Sequence, residues 1–175
     1  MKLPSTLTSQ DALELFKGLE PVTIEFMIGK WRGEGFPTGH HQDGLLEAYN
    51  WRGKHFHSSE NVHPLVFNKI SGGTVSINPG FMAAGFSSAG KGGKPPSKIV
   101  GKIVQYILPI FSTSKSRARL RMIGHEGVST AAMLYDQLPI IDVFRKLDDN
   151  TVLGIMDHKD IEQPFFFKLI REIAR

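Results

Sequence analysis

An antiparallel up-and-down β-barrel, mainly β with a few short helices, is the fold class this sequence predicts, and three observations carry it. From residue 117 the chain alternates: Arg117, Arg119 and Arg121 take one face and Ala118, Leu120 and Met122 the other, the period of a strand with one wet side. Four more strand-like runs follow at 128–135, 140–146, 151–156 and 165–171. They are separated by turn chemistry at Glu126-Gly127, at Gln137 and Pro139, at Asp148-Asp149-Asn150 and at Pro164. The last runs are apolar on both faces, so one face must fill an interior and helices must cover the other. Closing the sheet also removes its exposed edges.

The elements follow in order. Thr8-Ser9-Gln10-Asp11 supplies N-cap chemistry, and Leu13, Phe16 and Leu19 recur at helical spacing before Pro21. Pro21, with its fixed φ, suits the first position of a second short helix ending near Gly29, whose Ile24, Met27 and Ile28 would close one end of the barrel. The chain enters the barrel at Gly29-Lys30-Trp31-Arg32-Gly33-Glu34-Gly35, where an indole occupies the floor and glycines let neighbouring backbone approach it. Residues 36–39 form a loop, and residues 43–49 a short helix with Leu45, Leu46 and Tyr49 on one face. Strands follow at 51–56 and 62–67. Residues 86–98 are a flexible, glycine- and lysine-rich loop, a candidate gate. The apolar stretch 99–111 is broken by Gly101, Lys102, Gln105 and Pro109 and falls short of the ~20 residues that span a bilayer, so no integral membrane segment is expected. The chain reads as a single barrel domain over 1–175, with 1–70 carrying the G-x-W-x-G segment and 117–171 the meander.

That G-x-W-x-G, taken with Tyr135-Asp136-Gln137-Leu138-Pro139-Ile140-Ile141-Asp142-Val143-Phe144-Arg145 and the run 152–157, resembles the bacterial and fungal GXWXG-domain family. In that family the domain is followed by a second, uncharacterised conserved domain. The resemblance covers roughly residues 15–56 and 117–171 and implies a small, lipocalin-like β-barrel. The longer form through Gly35 is also similar to nitrobindin-type haem barrels, which makes haem or nitric-oxide binding an alternative. Those proteins carry their iron-binding histidine on a late strand, and residues 165–171 hold none.

Composition bounds the chemistry. With no cysteine, disulfides, thiolate nucleophiles and Cys-type metal sites are excluded, which fits a reducing cytoplasm. Twenty-one basic residues against 17 acidic ones is a mild excess, so no nucleic-acid partner is expected. No P-loop, Rossmann or G-x-S-x-G motif is present. No cofactor is expected, and a homodimer is compatible with the composition.

A barrel lined by Phe, Met and Ile with a few fixed polar groups suits a small hydrophobic or amphipathic, lipid-like molecule. The candidate ligand-binding residues are Trp31, Trp51, Arg121, Tyr135, Asp142, Phe144, Met156 and Phe166. Asp142 lies between apolar residues and needs a cation if buried, with Arg121 or Arg145 the expected mate. An alternative is an isomerase or dehydratase using Asp142 with Tyr135 or a histidine for proton transfer. His55 and His57, two apart on a strand, face one way, and Glu60 or His63 could join them; spacing fixes no third ligand, so no metal is assigned.

Overall fold

The computed structural model describes residues 7–82 and 98–173, and the expected gate at 86–98 lies almost wholly outside them. Helix α1 (Ser9–Gly18) begins in a capping box: the Thr8 side chain accepts from the Asp11 N–H while the Asp11 carboxylate accepts from the Thr8 N–H. Strand β1 (Glu20–Pro21) follows, then α2 (Ile24–Met27), β2 (Gly29–Gly35), α3 (Leu45–Ala48), β3 (Trp51–Phe56), β4 (Val62–Asn68) and β5 (Thr74–Ser76). After α4 (Lys98–Ile107) and a 3₁₀ turn (Leu108–Phe111) come β6 (Ala118–His125), β7 (Val128–Tyr135), β8 (Ile140–Asp148), β9 (Thr151–His158) and β10 (Ile161–Arg171). Among the described residues no helix is long and apolar enough to cross a membrane. Pro21 does not open the second helix. It pairs with Arg145 at the margin of the sheet, and Thr23 caps α2 by accepting from the Phe26 N–H at 3.2 Å.

Eight antiparallel strands close into a barrel in the cyclic order β2-β3-β4-β6-β7-β8-β9-β10, with β10 returning to β2. Chain order and spatial order agree around the ring, as in an up-and-down meander. Strand β1 lies beside β8, and β5 forms a hairpin off β4. The junction of β4 with β6 is the thinnest seam, a single pairing of Val62 with Ala118. Ser116 supplements it by accepting the Val62 N–H at 3.0 Å.

The two-faced strands of the C-terminal third build two cores. Phe144 and Phe167 point inward with Trp31, Trp51, Phe56, Leu120 and Met133. Val143, Leu153, Ile155 and Phe166 point outward into a second cluster with Ala12 and Phe16 of α1 and with Phe36. The outer face is thus covered by α1, whereas the middle helix α4 packs on α3 instead.

The motif acquires a physical reason here. Trp31 is buried on the floor, and its Nε1–H donates to the Met27 carbonyl at 2.8 Å. The Arg171 guanidinium lies 4.2 Å from the Trp31 ring centroid and donates to the Ile28 carbonyl at 3.0 Å. Gly33 gives its side-chain space to the Trp51 indole, which a methyl group there would overlap. Gly154 does the same for the Phe167 ring. The Gly35 N–H donates to Glu47 Oε1 at 2.9 Å and so holds α3 over the barrel. Each glycine is a place where something else must sit.

Replacing Gly33 with Ala is therefore expected to destabilise the fold by about 1–3 kcal/mol, the usual cost of overpacking. Denaturant melts of the variant measure it, and an unchanged midpoint would contradict the Gly33–Trp51 contact.

Candidate functional site

A lysine is buried inside the barrel. The Lys54 side chain is 3% exposed, and its Nζ lies 2.8 Å from Oδ2 of Asp142, which is 1% exposed. The ammonium also donates to the Pro64 carbonyl at 3.1 Å and to the Tyr135 hydroxyl at 3.3 Å. The ring centroids of Phe167, Trp51 and Tyr135 surround it at 5.1, 5.5 and 5.6 Å, within cation–π range.

Strand β3 brings Lys54 there through a bulge. Strict alternation would put Trp51 and Lys54 on opposite faces, but the register shifts on either side of Gly53, so Trp51, Lys54 and Phe56 are all buried. Gly53 has φ 138°, and a side chain there would meet the Trp31 carbonyl. Asp142 comes from β8, where it pairs with Met133 and Met156. Burial pushes the Asp142 carboxyl above its ordinary range, a rise that the nearby ammonium and hydrogen bonds oppose. Burial, and then the Asp142 charge, push the Tyr135 hydroxyl well above its usual value.

Beside the pair lies a cavity of about 30 Å³, room for one or two water molecules. Its polar lining is Gln42, Trp51, Lys54, Tyr135 and Asp142; Leu45, Leu46, Leu65, Met156, Phe165 and Phe167 supply the rest. Three of these residues carry a buried polar atom with no hydrogen-bond partner: Gln42 Nε2, Trp51 Nε1 and Asp142 Oδ1. Gln42 is held by the loop before α3, where the Asp43 carboxylate accepts the N–H groups of Thr38, Gly39 and His40 at 2.8–3.0 Å.

Comparison with known proteins gives this architecture a family. Residues 14–72 match the GXWXG protein family, and residues 116–171 match a domain of unknown function, DUF4334. The chain belongs to the GXWXG family. A solved structure described as the crystal structure of a protein from Thermomonospora curvata is similar over 96% of this chain and 90% of that one, at 30% identity and a TM-score of 0.69. No curated protein matches the chain. In the GXWXG barrel the buried pair joins the two matched segments, since Lys54 lies in the first and Asp142 in the second.

Of the residues singled out from sequence, Trp51, Tyr135, Asp142 and Met156 meet at the cavity. Trp31 and Phe144 lie in the inner core without lining it. Arg121 is on the outside, 2.7 Å from Glu60. Phe166 faces the outer core, its ring centroid 6.4 Å from that of Phe36. The expected arginine mate of Asp142 is corrected to Lys54: Arg121 alternates outward beside the buried Leu120, and Arg145 stands three residues from Asp142, hence on the other face of β8. There Arg145 donates to the His125 carbonyl at 3.1 Å and lies over the Phe16 ring. Gln42, Leu45, Leu46, Lys54, Leu65, Phe165 and Phe167 were not anticipated as lining.

His55 and His57 share a face as their spacing requires, with ring centroids 3.5 Å apart, and His63 lies 5.5 Å from His57. Among the described residues no group of three or more His, Cys, Asp or Glu side chains is arranged to hold a metal ion. Burial, and then the neighbouring His57, Lys30 and His63, lower the His55 pKa from 6.5 to about 4.

Two outcomes follow from these charges. Asp142→Ala strands a buried ammonium and is expected to cost about 3–5 kcal/mol, whereas Lys54→Met with Asp142→Leu should be neutral or stabilising by about 1–4 kcal/mol; denaturant titration of both variants checks this. His55 is harder to protonate folded than unfolded, so its contribution to stability is present above pH 6.5 and is lost as pH falls from there toward about 4. Burial shifts His40, His63 and His125 the same way, while Asp142, shifted upward, opposes the loss. A pH series of unfolding free energies should therefore decline on the acid side and be flatter in His55→Gln.

Proposed function

We propose that the GXWXG barrel binds a small amphipathic molecule whose polar end enters the Lys54–Asp142–Tyr135 cluster. The observation that carries this is that three of the residues lining one cavity in a largely apolar interior each hold a buried polar atom without a partner. Each such atom costs about 1–3 kcal/mol when left unpaired, so a ligand that pairs with them gains what the empty site lacks. Gln42 Nε2 and Trp51 Nε1 are donors and Asp142 Oδ1 is an acceptor, the complement of a hydroxyl group. Leu45, Leu46, Leu65, Met156 and Phe165 supply an apolar surround for the remainder of the molecule.

The cavity as it stands matches the polar group alone. An apolar tail requires α3 to move aside, and α3 is four residues long, with hydrogen bonds from the Gly35 N–H to Glu47 and from Gln105 to the Ala48 carbonyl among its ties to the rest of the fold. A cysteine-free composition suits an intracellular location for this activity.

One observation favours a second reading. A carboxylate with one free oxygen and an upward-shifted pKa, beside a neutral phenol, is equipped to move a proton on a lipophilic substrate, as an isomerase or dehydratase requires.

Native mass spectrometry of the purified protein and titration with a fluorescent long-chain alcohol test the binding. Saturable one-to-one binding is expected, weakened at least about tenfold in the folded Lys54→Met, Asp142→Leu variant. A wild-type protein that carries no small molecule and does not bind the probe would contradict the reading.

A further inference from the structure

Helix α4 has two apolar sides, and one is bare. Its inner side packs on α3: Gly101 lies so close to the Ala48 carbonyl that a methyl group would overlap it, Gln105 Nε2 donates to that carbonyl at 3.0 Å, and Leu108, just beyond the helix, is buried. On the outer side Ile103, Tyr106, Ile107 and Ile110 recur at three- and four-residue spacing and are 57%, 70%, 43% and 76% exposed. Large apolar side chains gathered on one exposed stripe mark a surface that meets a partner.

The charge of the surrounding sequence indicates which partner. Between Glu60 and Glu126 there is no Asp or Glu, while nine Lys and Arg fall in the same stretch; all 17 carboxylates of the chain lie outside it. Arg119 and Arg121 are engaged by Asp136 and Glu60. Among the described residues Lys69, Lys102 and Lys115 make no ion pair, and Lys102 is exposed next to Ile103.

We propose that α4 and the turn after it seat the barrel on an anionic lipid surface, with Ile103, Tyr106, Ile107 and Ile110 entering the headgroup boundary and Lys102 facing the lipid charge. A bilayer supplies both things the face lacks, an apolar phase and negative charge. Nucleic acid supplies only the charge. A second copy joined by a two-fold axis supplies apolar surface but sets the same acid-free stretch against itself. Because α4 rests on α3, whose Leu45 and Leu46 line the cavity, docking turns the α3 side of the barrel toward the bilayer. Docking itself does not depend on what the cavity holds.

Vesicle flotation of the full chain tests this, with phosphatidylcholine alone and with phosphatidylcholine containing one third phosphatidylglycerol. Binding is expected only to the anionic vesicles, and to fall sharply at about 1 M salt, where the screening length is about 3 Å. Ile103→Ser with Ile110→Ser should weaken it at least about tenfold, as should Lys102→Glu, with unchanged melting because these side chains are exposed. No flotation, equal flotation with neutral vesicles, or a concentration-dependent dimer that the Ile103→Ser, Ile110→Ser variant dissociates would each overturn the proposal.

Discussion

Two opposite charges held out of water set the terms for the rest of this barrel. Desolvating an ammonium and a carboxylate costs several kcal/mol each, and their attraction offsets that only when every remaining proton and lone pair is placed. Lys54 meets the requirement with Asp142, the Pro64 carbonyl, the Tyr135 hydroxyl and three aromatic faces. Those aromatic rings need space in turn. Trp51 takes its space from Gly33 and Phe167 from Gly154, so the glycines on the strands and the charges at the centre form one arrangement. Asp142 is left with one oxygen unused and Trp51 with its indole N–H, and at these atoms the arrangement stays chemically open.

Much of the architecture was legible because period-two patterning in the C-terminal third leaves little choice. Residues such as Leu120 beside Arg121, and Phe144 beside Val143, announce which way they face, and the apolar character of both faces called for a closed sheet with a cover. The site was harder to see. Asp142 and Tyr135 stood out as polar groups in apolar surroundings, but Lys54 looks like an ordinary surface lysine in Trp51-Arg52-Gly53-Lys54-His55-Phe56. A bulge turned it inward, and a bulge leaves little trace in sequence beyond the glycine at its centre. Arg121 and Arg145 have the right charge for Asp142 but not the right facing, which residue parity along a strand decides. Parity likewise turns Phe166, a candidate from its apolar run, to the outer core, while Phe165 and Phe167 on either side of it line the cavity.

The helices divide the labour around this frame. Helix α1 covers the outer face of the C-terminal strands with Ala12 and Phe16, an extensive contact that includes the Arg145 guanidinium over the Phe16 ring. Helix α3 is short and sits at the cavity, tied by hydrogen bonds at Gly35 and Gln105. A short cover with few ties opens at lower cost than the strands beneath it, and ligand access is ordinarily found at such places.

Ring closure carries a consequence for how the protein comes into being. The last strand, β10, pairs with the first strand of the ring, β2, and Arg171 reaches across 143 residues of sequence to the Ile28 carbonyl beneath the Trp31 floor. During synthesis at about 5–20 residues per second, β2 waits several seconds for its neighbour, with one edge unpaired and an apolar interior uncovered. The Lys54 ammonium must wait for Asp142 as well. Contacts so distant in sequence make for slow folding, and the nascent chain passes through a stage in which shielding by a chaperone, or simple dilution, decides between closure and aggregation.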